Sequence, residues 1–337
     1  MNRWLIRLAL IGFLVLAFPL ESPAPLVYRP GEGWVYETPG GEGKWTRSRP
    51  KDQLELAQQA FDKKDYSLAL KAARRTIRVW PLSDFAPRAQ YLIGRCYEAR
   101  KYDEKAFQAY QTLVEKYPKV DNYEEIVRRQ FEIANRFLAG KWFRLWGYIP
   151  FFPSMEKTVA MYEKLIKNGP YSPVAARAQL NIGAARERQV NFFNKRDPFR
   201  DAVKAYEKAA DRYNDNREIG AEAVFLAGRA YYKQAQKADY DQSVAGQAIA
   251  TFGDFAALFP NDPRVPEAQK MATSLKTEQA RGAFATARFY EKKKKWNAAL
   301  IYYNEATLKD PNSSYAADAK KRMEEIRARQ TASTARK

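Results

Sequence analysis

The chain has 337 residues, of which 46% are hydrophobic and 29% charged, a composition that builds a packed core and lies well away from the signature of disorder. It contains no histidine and a single cysteine, Cys96, so histidine-based triads, His/Cys metal clusters and disulfide frameworks are excluded by counting. Lys and Arg number 58 against 39 Asp and Glu, a formal net charge of +19, which favours acidic partners such as anionic lipid surfaces, acidic proteins or nucleic acid without choosing among them.

Residues 1–20 follow a signal-peptide plan. Basic Arg3 and Arg7 precede an apolar stretch, Leu8 to Leu20, interrupted only by Gly12 and Pro19, and this is shorter than the roughly 18 to 20 residues that span a bilayer. Export is therefore expected over a permanent anchor, with Val15 and Ala17 available as the small residues before a cut. No cysteine lies near the end of the stretch, so lipid attachment there is chemically closed, and Cys96, too far downstream, reads as a small core residue. Residues 21–50 are rich in Pro and Gly and read as a linker or irregular strap, with Trp34 and Trp45 placed to pin it to the body of the protein. Glu32 and Glu42 would repel a phosphate, so the glycines around them do not read as a phosphate-cradling loop.

From residue 51 onward a ruler recurs. A small residue is followed twelve positions later by an alanine, and that alanine twelve positions later by a proline: Ala57, Ala69, Pro81; Gly94, Ala106, Pro118; Ala287, Ala299, Pro311. The best unit, with Gln90, Ile93, Gly94, Tyr97, Ala106, Tyr110, Leu113 and Pro118, resembles the tetratricopeptide (TPR) pattern of about 34 residues, a helix-turn-helix hairpin. Two helices approach to about 8–10 Å only where the contact residues are small, which assigns Gly94 and Ala106 to the crossing and Tyr97 and Tyr110 to the groove between successive hairpins. Proline then stops the second helix.

Three further units keep the skeleton with longer elbows. Ala134 and Phe137 precede Thr158, Tyr162, Leu165 and Pro170, which implies a twelve-residue insertion; Gly183 precedes Ala202 by nineteen, and Gly228 precedes Ala248 by twenty. The expected fold is an all-α TPR-type solenoid of about six hairpins, closed by a capping helix over Tyr315–Arg327. N-terminal hairpins occupy 51–170, with an aromatic insertion at 140–154. C-terminal hairpins occupy 171–328, and 329–337 form a basic tail.

From Asp241 to Ile326 the chain resembles the family of outer-membrane β-barrel assembly factor D (BamD), TPR lipoproteins of Gram-negative bacteria. The residues that carry the likeness are Asp241-Gln242-Ser243, Ala248, Phe252, Phe255, Pro260, Ala287, Phe289-Tyr290, Trp296, Ala299, Tyr303 and Pro311. Gly169-Pro170-Tyr171-Ser172 resembles the family's first inter-repeat turn. The resemblance implies a non-catalytic scaffold without cofactor, in the periplasm at the inner face of the outer membrane. It would bind the periplasmic domains of the barrel-forming insertase and unfolded barrel substrates. The family's lipidated cysteine has no counterpart here.

The densest aromatic stretch is the third-hairpin insertion, with Trp142, Phe143, Arg144, Trp146, Tyr148, Phe151 and Phe152. It either tucks against the helices or is held open for a partner peptide or a membrane surface. A weaker version is Asn191–Pro198, read chiefly as a solvated loop, and Lys292–Lys295 read chiefly as a solvated turn. Adjacent carboxylates at Glu124-Glu125 and Glu324-Glu325 point apart on a helix and make no acid/base couple. A groove lined by tyrosines such as Tyr97 and Tyr290 would accept an extended or helical peptide. The alternative on the same fold is an adaptor for other envelope or peptidoglycan machinery, and nucleic acid is disfavoured by the export signal.

Overall fold

The computed structural model describes residues 26–29, 33–36, 44–145, 149–189, 197–237 and 242–334; the leader expected over 1–20 lies outside them. The elbows predicted from the small-residue ruler separate six helical hairpins: α1 (Pro50–Asp62) with α2 (Tyr66–Val79), α3 (Phe85–Ala99) with α4 (Asp103–Lys116), α5 (Tyr123–Leu138) with α6 (Met155–Asn168), α7 (Ala175–Glu187) with α8 (Pro198–Arg212), α9 (Arg217–Lys237) with α10 (Gln242–Leu258), and α11 (Val265–Lys292) with α12 (Trp296–Lys309). A last helix, α13 (Ser314–Thr334), follows. This is an all-α solenoid of hairpins. Contacts divide the chain into two units, 1–123 and 124–337, whereas the division expected at 170/171 followed the family likeness.

The first unit holds α1–α4 and a short antiparallel hairpin, β1 (Leu26–Arg29) and β2 (Gly33–Tyr36), in register Tyr28↔Trp34. The strap is therefore not wholly irregular. Trp34 is 58% exposed and its ring stands edge-on to Tyr28, centroids 5.4 Å apart, so its partner is its own hairpin and not the helices. Trp45 is the residue that pins: the Lys71 ammonium lies 3.9 Å from its ring centroid and Gln53 Nε2 donates to its carbonyl at 3.1 Å.

The twelve-residue ruler has a backbone cause. In the three short elbows the residue seven positions after the small residue adopts the left-handed conformation: Lys64 (φ 62), Lys101 (φ 60) and Lys294 (φ 57). Each is followed by the same closure, in which the next amide reaches back to the first helix: Asp65 N to Ala60 O, Tyr102 N to Tyr97 O and Lys295 N to Tyr290 O, at 2.9–3.0 Å. Such a 6→1 bond ends a helix in one residue, so the second helix starts at a fixed count. Lysine in this conformation carries a cost of roughly 1–2 kcal/mol that glycine avoids.

The hairpin crossing differs from a contact between two small side chains. The predicted packing residues Ala57, Ala69, Ala106, Ala202, Ala248, Ala287 and Ala299 are all fully buried, but the space at each glycine is filled by a ring four residues beyond the alanine. A Cβ placed on Gly94 would lie 2.3 Å from Tyr110 Cε1, on Gly183 2.3 Å from Tyr206 Cε1, and on Gly228 2.7 Å from Phe252 Cε1. Tyr110 thus wedges inside its own hairpin and not between hairpins, while Tyr97 does reach the preceding one, its hydroxyl accepting from Arg74 of α2. The wedge tyrosines end on a carboxylate one turn past the small residue: Tyr110 Oη donates to Glu98 at 3.0 Å, Tyr206 to Glu187 at 2.9 Å, and Tyr303 to Glu291. A buried glutamine four residues before the small residue reaches the opposite helix, donating to Ala72, Ala109 and Ala205 carbonyls from Gln53, Gln90 and Gln179. Buried polar groups are satisfied in this way without breaking the helices.

The second unit holds α5–α13. The insertion at 140–154, read as an aromatic loop, contains an antiparallel pair, β3 (Phe143–Leu145) and β4 (Ile149–Phe152), with a bulge between Phe143 and Arg144. Ser154 caps α6 by accepting from Lys157 N at 3.3 Å. Ala319, Met323 and Ile326 of α13 complete the core of the last hairpin, as a capping helix must. This helix continues to Thr334, so residues 329–334, expected as tail, are helical.

The wedge makes opposite signs for two glycine substitutions. Gly183→Ala meets a ring held at both ends and should destabilise by about 1–3 kcal/mol. Gly246→Ala, on α10 with nothing within 4 Å of its Cβ, should stabilise by about 1 kcal/mol through helix propensity. Urea unfolding midpoints compare the two directly; two shifts of the same sign would remove the wedge as the determinant of the crossing.

Candidate functional site

Helices α6, α7 and α8 enclose a groove of about 690 Å3 in the second unit. Its floor is apolar, formed by the buried residues Ile166, Ile182 and Ala205 together with the stem of Gln179. Its walls are cationic: Lys167 from α6, Arg186 from α7, and Lys204, Lys208 and Arg212 from α8, against Glu163 and Asp201. Lys204, Lys208 and Arg212 stand four residues apart, so they share one helix face. Among the described residues Lys167, Lys204 and Lys208 make no ion pair, whereas Arg186 donates to Gln189 at 3.1 Å.

The groove is held from behind by the wedge. Tyr206 follows Ala205 on α8 and turns the other way, into Gly183, where its hydroxyl meets Glu187. Burial, with the Glu187 carboxylate adding to it, pushes the Tyr206 phenol well above the ordinary value of 10.0. Lys233 of α9 closes the cluster on the same carboxylate. A second groove of about 410 Å3 lies in the first unit between α2, α3 and α4. Position for position it is the same place in the repeat: Ile77, Gln90, Ile93 and Ala109 stand where Ile166, Gln179, Ile182 and Ala205 stand. Arg74, Arg78 and Lys105 supply its charge.

Apart from Tyr97, the partner-binding residues singled out from sequence fall elsewhere. Phe143 is buried, stacked on Phe137 with centroids 4.1 Å apart and with Lys157 Nζ 5.0 Å from its ring; it belongs to the core and presents no surface to a partner. Trp142 is 54% exposed and Arg144 is half-buried, paired in register with Pro150. Trp146 and Tyr148 lie outside the described residues, as do 191–196; Phe151 and Phe152 sit on β4, with Phe152 opposite Phe143. Tyr97 lines the first-unit groove, while Tyr290 stacks on Tyr302, centroids 5.3 Å apart. Lys292–Lys295 are exposed at the elbow before α12. Glu125 pairs with Arg129 and Glu325 with Arg322, both at 2.9 Å. Cys96 is fully buried and its thiol is pushed up to about 12 by burial, so it is closed to acylation and nucleophilic chemistry. Among the described residues no three His, Cys, Asp or Glu converge as a metal site. The α6–α8 groove escaped the sequence reading because its walls come from three helices; the signal was present as lysines two and six positions after the ruler alanine Ala202.

Helical hairpins stacked on a glycine–aromatic wedge, with charged inter-helix grooves, define an all-α helical repeat protein. Residues 54–121 match the model of a tetratricopeptide repeat family, and residues 154–310 match the model of a family named YfiO and described as outer membrane lipoprotein. Over these two segments the chain is similar to tetratricopeptide-repeat proteins and to this BamD-like family. The match starts at the cap of α6 and ends after α12, earlier at both ends than the likeness read from Asp241 to Ile326. No curated protein matches the chain. Similar solved structures include MamA residues 41–end of Desulfovibrio magneticus RS-1 (13% identity, 66% of this chain and 99% of that one, TM-score 0.31) and pilF of Pseudomonas aeruginosa (12%, 83% and 97%, TM-score 0.30). Another is a tetratricopeptide repeat protein of Parabacteroides merdae (11%, 82% and 98%, TM-score 0.30). Likeness at this level carries no argument, and the fold stands on the helices themselves.

The wedge tyrosines set an alkaline limit. A phenol whose folded-state pKa is raised contributes fully below its unfolded value and loses that contribution as pH rises above it. The thermal midpoint should therefore fall above a pH of about 10, and Tyr206→Phe together with Tyr303→Phe should flatten that fall. An unchanged slope in the double variant would assign the alkaline loss to other groups.

Proposed function

We propose that the protein is a non-catalytic, exported scaffold of the cell envelope. In this reading it acts at the periplasmic face of the outer membrane, in the assembly of β-barrel proteins, by binding the periplasmic domains of the barrel insertase and unfolded barrel segments. The observation that carries this reading is the match of 154–310 to the outer membrane lipoprotein family, over hairpins whose crossings and grooves are intact. The repeat architecture supports it further, since stacked hairpins offer long binding surfaces. Among the described residues no helix is long and apolar enough to cross a membrane. The half-exposed Trp142, beside a hairpin of aromatic sequence, is the surface anchor proposed for a partner or for the bilayer interface.

Affinity capture on the full-length chain from envelope extracts of its source organism tests the reading. An outer-membrane barrel insertase is the expected prey; recovery of peptidoglycan or other envelope machinery without the insertase would replace barrel assembly with a general adaptor role. Trp142→Ala should lower recovery of the insertase roughly five- to thirtyfold, the effect of losing about 1–2 kcal/mol at a contact, with helical circular dichroism unchanged. Full recovery by that variant would move the contact away from the insertion.

A further inference from the structure

We propose that the cationic groove of α6, α7 and α8 is a docking site for an acidic peptide segment of a partner protein, carboxylates on Lys204 and Lys208 and an apolar side chain over Ile166 and Ile182. The inference deepens the scaffold reading and rests on it. Its ground is a comparison of the chain with itself. The same columns of the repeat recur wherever one hairpin follows another within the second unit, and there they are populated with other residues. Where the α6–α8 groove has Lys167, Arg186, Lys204 and Lys208, the next pair of hairpins has Asp211, Tyr231, Ala250 and Asp254, and the last has Ala257, Tyr290, Ile301 and Glu305. Neither of those sets contains a cation, and the Arg212 column adds only Leu258 in the first and Lys309 in the second, yet both hairpins form the same crossings. Packing therefore does not require charge in these columns.

Like charges gathered without partners raise the free energy of the folded chain, and an acidic ligand relieves this. Two features choose the ligand class. The floor is apolar and buried, which suits a seated side chain and offers nothing to a phosphate-ribose backbone. The rim carries Glu163 and Asp201, which repel evenly spaced phosphates but accept hydrogen bonds from peptide amides. Lys204 and Lys208 are one helical turn apart, a spacing that carboxylates on alternate residues of an extended peptide also span.

Fluorescence anisotropy on the full chain, with a labelled peptide of alternating glutamates around one phenylalanine, tests the site. Binding is expected, with a lysine version of the peptide inert. Lys204→Glu with Lys208→Glu should weaken it at least about tenfold, Lys204→Arg with Lys208→Arg should retain it, and all variants should keep native helical circular dichroism because both lysines are exposed. Lys292→Glu with Lys293→Glu changes net charge equally at a distant exposed elbow and should leave binding intact. Equal loss in the two charge reversals, no binding of the glutamate peptide, or tighter binding of a single-stranded oligonucleotide through Lys204 and Lys208 would each overturn the proposal. Capture of the insertase with no peptide binding ends this inference and spares the scaffold reading. Peptide binding without such capture does the reverse.

Discussion

Everything in the architecture leans on a missing methyl group. In three hairpins a glycine on the first helix leaves the volume that a Cβ would occupy to an aromatic ring from the second, at separations no side chain could share. Buried aromatic area is the largest single contribution a hairpin this small can make, and the glycine lets it be made without pushing the backbones apart. Two polar contacts then fix the crossing in rotation: the ring's hydroxyl on a carboxylate of the first helix, and a glutamine of the first helix on a carbonyl of the second. Where the wedge is Phe252, the matching carboxylate position is Tyr232 and no acid is needed. In the third hairpin the ring is Tyr162 and the matching position is Leu138, and the hydroxyl donates instead to Asn135 Oδ1 at 2.6 Å.

The elbows divide into two kinds. Short ones use a left-handed lysine and a 6→1 closure to start the second helix at a fixed count. The long elbow after α5 keeps the same closure, with Gly140 (φ 102) in place of lysine and Lys141 N reaching back to Arg136 O at 3.1 Å, and then carries extra chain, the β3–β4 hairpin, which covers Phe137 with Phe143. Because the hairpin crossing is set by the wedge and not by the elbow, insertions there leave the core undisturbed. This is why variable binding elements accumulate at these points in a repeat fold.

Electrostatic identity is assigned hairpin by hairpin. The ruler positions on the paired helices face inward and are alanine, glycine or aromatic, with the buried Thr158 in the third unit, while the columns two and six residues past the alanine vary from Lys to Asp to aliphatic. One scaffold thus presents surfaces of different sign without changing its packing. The overall excess of basic residues is thereby resolved into places: a groove over α6–α8, a smaller one over α2–α4, and exposed elbows.

Periodicity and small-residue spacing by themselves determined the helices, their pairing and the capping helix, because helix formation and close approach depend on residues near one another along the chain. Counting alone removed histidine chemistry and disulfide frameworks, and the last third of the chain carried its family likeness in the order of its aromatics. Only the tertiary structure decided that Tyr110 wedges within a hairpin, that Phe143 is core while Trp142 is surface, that Trp34 leans on Tyr28, and that Lys167, Arg186 and Lys204 surround one apolar floor. Those residues are separated by up to some tens of positions and lie on different helices. Their meeting is set by the crossing geometry, which a one-dimensional pattern constrains at the contact but does not carry outward to the rims.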